Sequence, residues 1–327
     1  KPKTYINLEP EIKEEDLTKL FLNIKTIDDI INLKNERNKY DYFTNTKFTK
    51  LYKLIPSLEE LNGLIGMDNI KKDIFNTICF FIHGLNNTDD LNHVVITGDP
   101  GVGKTSLAKL ISKIYLSLGF LDSNKFIIAR RSDLIAGYLG QTAIKTQKMI
   151  DEAEGGVLFI DEVYSLGNDE KRDSFAKECI DTINQNLTEK CDKFLCIIAG
   201  YKEDVNKCFF NYNKGLERRF TIKYDIEKYT STDLSKMLLK FIKDDNWDIK
   251  FDPEKLISKN LELLKYQGGD LKTLVKNAKQ EYSIRLMNKY STDDSGDKIL
   301  IKEDFDLSIN KIKNQRKHEK LPEHLTH

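Results

Sequence analysis

The sequence predicts an α/β protein in which a three-layer domain with a parallel sheet follows a helical extension and precedes a small all-α domain. Five short apolar runs alternate with helical segments between residues 61 and 226. A glycine-rich loop, residues 98–105, follows the first run and opens a helix. After residue 226 only helical patterns continue, as far as residue 313. We therefore predict domains at 1–60, 61–226 and 227–313, and an unstructured charged tail at 314–327.

The first sixty residues have helical spacing but no recognisable chemistry. Apolar residues recur at helical intervals in 17–24 and 27–31, and a third stripe begins at Leu51. The polar stretch 35–50 predicts a loop, and Pro56 is expected to interrupt the third helix. This region is predicted to be an accessory helical extension.

Five apolar runs predict the strands of the sheet. Each is short and rich in Val, Ile and Phe, without polar alternation, which is typical of strands covered on both faces. Helical segments separate the runs, so we expect helices on both sides of the sheet. The predicted strands are 94–97, 126–129, 157–160, 194–199 and 221–224.

The loop after the first strand has the residues of a phosphate-binding loop. Its glycines let backbone N–H groups turn toward a polyphosphate, and the next helix adds its positive end. Lys104 is expected to reach the β- and γ-phosphates, and the Thr105 hydroxyl to ligate Mg²⁺. The strand–loop–helix context argues against a chance glycine–proline turn. The predicted ATP-binding residues here are Asp99, Pro100, Gly101, Val102, Gly103, Lys104, Thr105 and Ser106.

Two carboxylates follow the third strand. Asp161 and Glu162 come directly after four apolar residues, at the end of the strand where open α/β sheets bind ligands. We expect Asp161 to hold Mg²⁺ together with Thr105, and Glu162 to orient the attacking water or accept its proton. An Asp-Glu pair alone is commonplace, but its position downstream of a phosphate loop predicts a hydrolytic site.

A pair of arginines, Arg218 and Arg219, lies just before the last strand. P-loop ATPases often stabilise the transferring phosphoryl group with an arginine from a neighbouring molecule. Spacing alone also allows two arginines that only solvate a helix end.

Composition excludes several classes of protein. Lys plus Arg and Asp plus Glu both number 52, so no net field attracts nucleic acid or anionic lipid. Five irregularly spaced cysteines predict reduced thiols in a cytoplasmic compartment rather than a disulfide framework or zinc site. No apolar run is long enough for a membrane span. The chain begins with Lys, so we expect it to be a segment of a longer protein, in which a targeting segment would not be observable.

The phosphate loop, acidic pair, arginine pair and following helical domain together resemble the AAA+ ATPases. Residues 131–146, 155–166 and 199–201 are similar to the branch that contains red-type Rubisco activase (CbbX) and stage V sporulation protein K. The resemblance covers about residues 61–286 and excludes the extension. It implies that the sheet domain is a P-loop AAA+ core and that the helical domain after it is a lid.

The resemblance also implies roles for residues outside the two nucleotide motifs. Ile65 and Gly66 match the segment that packs against adenine. Arg219 matches the arginine that acts on the neighbouring subunit's nucleotide, with Arg218 as a second candidate.

Two further positions correspond to the family's sensor residues. Lys272 occupies the sensor-2 position, where arginine is usual; lysine carries the charge without the planar fork of arginine. Tyr201 stands where many members have a polar sensor-1 residue, and is expected to position the lytic water.

The resemblance places Tyr138 and Leu139 in a pore loop that faces the central channel of a ring. Gly137 and Gly140 beside them favour an exposed tip over a core tyrosine. The charged loop 167–173 either lines the same channel or is ordinary surface.

The favoured function is an Mg-ATP-hydrolysing ring motor, hexameric by resemblance, that remodels or threads an unidentified protein substrate through its pore. The alternative is a nucleic-acid motor or loader, which shares the architecture but for which the chain shows no basic stripe with interleaved aromatic residues. A nucleotide-gated scaffold with slow turnover is a third reading, and the intact Glu162 argues against it. We expect no membrane association.

Overall fold

The computed structural model describes residues 14–36, 46–87, 89–138, 140–168, 173–213, 215–288 and 298–318. These residues form two compact units. The first unit holds the described residues up to Thr97 together with Thr105–Asp225. The second holds the phosphate-loop segment Gly98–Lys104 and the described residues from Ile226 onward.

The first unit contains a sheet and most of the helices. Its helices are α1 (Glu14–Asn23), α2 (Ile27–Asn32), α3 (Thr46–Asn62), α4 (Asp68–Ile82), α5 (Lys104–Leu118), α6 (Arg131–Leu134), α7 (Gln141–Glu152), α8 (Ser174–Glu189) and α9 (Lys202–Cys208). The strands are β1 (Val94–Gly98), β2 (Phe126–Ala129), β3 (Val157–Ile160), β4 (Leu195–Gly200) and β5 (Ile222–Ile226). All five predicted strands are confirmed, with ends that differ by two residues or fewer.

The strands form one sheet in the order β2-β3-β4-β1-β5. The pairings of β2 with β3, β3 with β4 and β1 with β4 are parallel. Every residue of β3 and β4 is buried, as expected for central strands covered on both faces. Since parallel strands end at the same edge of a sheet, the residues that follow β3 and β4 lie close together there.

The N-terminal helices differ from the prediction in two respects. Pro56 lies inside α3 and does not interrupt it. The neighbouring Leu54, Leu58 and Leu61 are completely buried, and burial of several such side chains outweighs the cost of about 3 kcal/mol for an internal proline. Helix α3 also begins at Thr46, inside the predicted loop; residues 37–45 of that loop lie outside the described residues.

The second unit is mainly helical. It contains α10 (Ser231–Asp244), α11 (Glu254–Lys259), α12 (Gly268–Asn288) and α13 (Lys302–His318). The sequence Thr230–Asp233 is typical of a capping box, and the structure confirms it at the start of α10, because Thr230 and Asp233 exchange side-chain and backbone hydrogen bonds. A two-residue parallel pair, β6 (Asp248–Ile249) with β7 (Ile299–Leu300), adds a strand element to the predicted all-α domain.

Two helices of this unit have unexpected ends. The pair Gly268-Gly269 favours a break in the chain, but Gly268 is the first residue of α12, where N–H groups have no partner within the helix in any case. Helix α13 continues to His318, past the predicted boundary at 313. The reason is tertiary, because Arg316 forms an ion pair with Asp270 on α12. Residues 289–297 and 319–327 lie outside the described residues.

Candidate active site

The residues predicted to hold a metal lie together at the end of β3. Asp161 follows a strand whose four residues are completely buried, and is itself half-buried. The Thr105 hydroxyl donates to Oδ2 of Asp161 at 3.4 Å. Among the described residues, no three His, Cys, Asp or Glu side chains group as metal ligands. A hydroxyl and a single carboxylate suit Mg²⁺, which takes its other oxygen ligands from phosphates and water.

Glu162 adopts the left-handed backbone conformation, with φ of +51°. This conformation costs a residue other than glycine roughly 1–2 kcal/mol. The backbone N–H of Glu162 donates to Oδ1 of Asp161 at 3.0 Å, and the next residue, Val163, is completely buried. These contacts hold the strained turn in place and leave the Glu162 carboxylate exposed, as a group that must reach water requires.

Two tyrosines lie beside Glu162. The rings of Tyr164 and Tyr201 are stacked, with centroids 5.2 Å apart and planes at 19°. A Cβ at Gly200 would lie 2.9 Å from the Tyr164 ring, so only glycine allows this packing. Burial raises the pKa of Tyr164, and the neighbouring Tyr201 phenol and then the Glu162 carboxylate raise it further. The Tyr164 phenol therefore stays protonated and can donate to the Glu162 carboxylate.

Sequence reasoning missed Tyr164 and left Tyr201 with a role implied only by resemblance. Tyr164 comes two residues after Glu162, and Tyr201 directly follows β4. Each tyrosine lies just after the carboxyl end of a predicted strand, and this position could have suggested that they meet. Their contact, however, requires the two strands to be neighbours in the sheet, and sequence alone does not give the strand order.

The phosphate loop has the strained backbone that its glycines allow. Gly98, Gly101 and Gly103 have φ of +152°, +77° and +98°. The Lys104 ammonium donates to the carbonyls of Gly98 and Asp99 at 2.8 and 2.9 Å, so it lies over the loop. Ser106 is exposed in the first turn of α5. This geometry matches a backbone that presents N–H groups to an anion.

The segment expected to contact adenine is an ordered turn between α3 and α4. Gly66 and Met67 are both left-handed, with φ of 68° and 60°. The Lys71 ammonium donates to the Leu64 carbonyl at 2.7 Å, and Ile65 is half-buried. The adenine contact of Ile65 and Gly66 stays a prediction.

The two arginines have different surroundings. The Arg219 guanidinium donates to the Thr188 hydroxyl at 2.8 Å and to the Gly215 carbonyl at 2.7 Å, and is half-buried. Arg218 is exposed in the same short 3₁₀ turn. Arg219 is thus oriented by contacts within this chain, while Arg218 is exposed; a role of either arginine at a neighbouring molecule's nucleotide stays a prediction.

Tyr138 lies at an exposed loop tip, with 74% of its surface accessible. Both ends of the loop are held by hydrogen bonds. The Ala136 N–H donates to the Thr142 hydroxyl at 3.2 Å, and the buried Thr146 hydroxyl donates to the Leu134 carbonyl at 3.0 Å. Leu139 and residues 169–172 of the second predicted loop lie outside the described residues.

Lys272 lies on α12 within the second unit. Its ammonium is 5.5 Å from the centroid of the Phe241 ring on α10, and it lines an open groove with Asp245 and Lys276. Its role as a phosphate sensor stays a prediction.

Comparison with known proteins identifies the family. Residues 94–228 match the profile of the ATPase family associated with various cellular activities (AAA). A cfxQ-like protein of Acanthamoeba polyphaga mimivirus is 38% identical over 281 residues, which cover 84% of this chain and 68% of that protein. The chain belongs to the AAA family and is an ATPase.

Further relatives identify the branch. Stage V sporulation protein K of Bacillus subtilis is 34% identical over 60% of this chain and 62% of its own length. The ESX-3 secretion system protein EccA3 of Mycolicibacterium smegmatis is 33% identical over 59% of this chain and 33% of its own length. The chain belongs to the CbbX and SpoVK-like branch of AAA+ proteins, and it spans less than two thirds of each of these two relatives.

Solved structures agree with the fold. A Thermotoga maritima RuvB mutant matches 78% of this chain and 72% of its own, with a TM-score of 0.52 and 19% identity. The FIGL-1 AAA domain in complex with ADP matches 76% of this chain and 82% of its own, with a TM-score of 0.53 and 16% identity.

None of the helices described here has both the length and the apolar character needed to cross a membrane.

Proposed function

We propose that this ATPase is an Mg-ATP-driven ring motor that remodels a protein by pulling an extended segment through a central pore. The observation that supports this most directly is Tyr138, whose ring is exposed on a loop held at both ends by hydrogen bonds. Leaving a large aromatic ring in water is unfavourable unless a partner covers it. An aromatic ring grips an extended chain by packing, with little dependence on its sequence.

In the proposed hydrolysis, Lys104 neutralises phosphate charge, while Thr105 and Asp161 would hold Mg²⁺. Bound Mg²⁺ would supply charge stabilisation at the phosphates. Glu162 orients the attacking water and accepts its proton, with Tyr164 fixing the position of its carboxylate.

A direct path connects this chemistry to the Tyr138 loop. The Arg131 guanidinium on α6 donates to the carbonyls of Ser165 and Leu166 at 2.8 and 2.7 Å, just after Glu162. It also pairs at 2.6 Å with Asp173, the last residue of the charged loop 167–173. Movement of the turn after Glu162 would therefore be transmitted to the stems of both loops.

The ring part of the proposal is tested by mixing inactive variants. Glu162→Gln and Arg219→Ala proteins should each lose ATPase activity. If the arginine acts on the neighbour's nucleotide, an equal mixture regains activity, because about a quarter of the subunit interfaces combine an intact glutamate with an intact arginine. The same mixture with Arg218→Ala shows which arginine acts. No regained activity with either arginine would refute a shared site.

The threading part is tested on the Tyr138 loop with an unfolded polypeptide, casein, as the probe. Tyr138→Ala should retain basal ATPase activity and lose its stimulation by casein. Ile144→Ala is the matched control, since Ile144 on α7 is also a highly exposed apolar side chain, at 71%. Equal loss of stimulation in both variants would contradict a specific role for Tyr138. Salt-sensitive stimulation by DNA but not by casein would favour the nucleic-acid alternative.

A further inference from the structure

A buried ion pair lies near the end of the last described helix, and its arginine belongs to none of the sequence motifs. Arg316 on α13 donates to both carboxylate oxygens of Asp270 on α12, each at 2.8 Å. Their side chains are only 15% and 10% exposed. Arg316 also donates to the Leu263 carbonyl, and its guanidinium lies 5.8 Å from the Tyr266 ring centroid. All of the contacts that orient this guanidinium are thus within the second unit.

Asp270, whose carboxylate is held by Arg316, also forms a hydrogen bond with the backbone of a neighbouring turn. It lies in the first turn of α12, and its Oδ2 accepts the Tyr266 N–H at 2.7 Å. The Gly269 N–H in turn donates to the Tyr266 carbonyl at 2.9 Å. Removing Arg316 would leave Asp270 as a poorly compensated charge, which is costly when buried. The turn Tyr266–Gly269 therefore depends on Arg316 for its conformation.

This turn lies against the phosphate loop. A Cβ added to Gly101 would lie 2.1 Å from the Tyr266 carbonyl oxygen and 3.2 Å from the Gly269 nitrogen. A Cβ added to Gly268 would lie 3.1 Å from the Gly101 carbonyl oxygen. The two backbones meet with no side chain between them, so a displaced turn must displace Gly101.

Two more contacts keep the phosphate loop in place within this unit. The buried Tyr229 hydroxyl donates to the Val102 carbonyl at 2.7 Å, and Lys228 pairs with Asp99 at 3.2 Å. The loop must keep its N–H groups convergent to bind phosphates, so its affinity for nucleotide depends on these neighbours.

We infer that Arg316 is a positioning residue for nucleotide binding, which acts through Asp270 and the turn Tyr266–Gly269 on the backbone of Gly101. It touches neither nucleotide nor reacting atoms. The last helix of the lid thereby sets the conformation of the phosphate loop. This role is separate from ring assembly, substrate threading and the part played by Glu162.

The matched control is a second ion pair between the same two helices. Arg285 on α12 pairs with Asp304 on α13 at 3.0 Å, with side chains 27% and 3% exposed. It holds the helices together, and its hydrogen bonds go to Asp304 and the Ile299 carbonyl rather than to the turn Tyr266–Gly269. A purely structural arginine should therefore behave alike at both positions.

The test measures the affinity for a fluorescent ADP analogue, which needs no hydrolysis, together with stability to urea. Arg316→Ala should bind ADP about tenfold more weakly, from loss of charge-assisted hydrogen bonds. Arg285→Ala should lose similar stability and bind ADP within about twofold of the unchanged protein. Steady-state ATPase assays should show a raised KM for Arg316→Ala with kcat nearly unchanged.

A conservative variant keeps the test decisive if Arg316→Ala fails to fold. Arg316→Lys retains the charge and loses the planar fork, so it should give an intermediate loss of ADP affinity in a folded protein. Wild-type ADP affinity in a folded Arg316→Lys or Arg316→Ala protein would overturn the inference. An equal loss of ADP affinity in Arg285→Ala would overturn it too, since any weakening of the lid would then suffice.

Discussion

The buried side chain of His93 makes the stability of the core depend on pH, and this dependence can be tested. It is 1% exposed, at the start of the sheet, between the rings of Phe194 and Phe220. Its Nδ1 accepts the Cys196 N–H at 3.1 Å, so its Nε2 carries the proton and donates to the Leu187 carbonyl at 2.9 Å. A second proton would break the first bond and place a charge in the core.

The pKa of His93 sets how much the free energy of unfolding changes with pH. Burial lowers this pKa from the ordinary 6.5 to about 4, although the Leu187 carbonyl acts in the opposite direction. The unfolded chain therefore binds more protons between these values, and the free energy of unfolding falls as pH falls. Linkage gives a loss of about 2 kcal/mol between pH 7 and pH 5, and about 3 kcal/mol in full.

Protonation of carboxylates should change the free energy of unfolding little between pH 7 and pH 5. The hydrogen bond from Lys202 lowers the pKa of Asp225 below 3.8, for example, so its stabilising contribution is lost only at more acidic pH. The effect between pH 7 and pH 5 should therefore come mainly from histidine.

The assay is urea unfolding of the unchanged protein and of His93→Gln at pH 7 and pH 5. Glutamine can accept from Cys196 and donate to Leu187, but it does not titrate. His93→Gln should lose about 2 kcal/mol less than the unchanged protein between the two pH values. Parallel losses in the two proteins would refute the reasoning.

Two other substitutions test the site. Tyr164→Phe keeps the ring stack but removes the hydroxyl that can donate to Glu162, so kcat should fall about tenfold with ADP affinity unchanged; an unchanged kcat would show that the phenol does not position the carboxylate. Gly101→Ala places a Cβ 2.1 Å from the Tyr266 carbonyl oxygen, so ADP binding should weaken by roughly tenfold or more. Gly119→Ala is the control, since Gly119 has a similar φ of +79° in open space; equal weakening there would mean that strain alone is responsible.

The local sequence pattern was sufficient to predict the strands of the sheet and the residues of the phosphate loop. The β2 and β3 strands have the predicted ends, because short apolar runs between helices need no distant partner to be recognised. Thr105 also lies within hydrogen-bond reach of Asp161, since the segments that follow parallel strands meet at one edge of the sheet; their joint role in holding Mg²⁺ stays a prediction.

Tertiary structure decided what depends on residues distant in the chain. Pro56 is tolerated because the leucines around it are buried. Tyr164 meets Tyr201 because β3 and β4 are neighbours in the sheet. Arg316, which sequence alone placed in an unstructured tail, is ordered by a carboxylate 46 residues away. Propensity and hydrophobic period describe a residue's near neighbours along the chain, whereas a buried charge is stabilised only by the partner that folding brings to it.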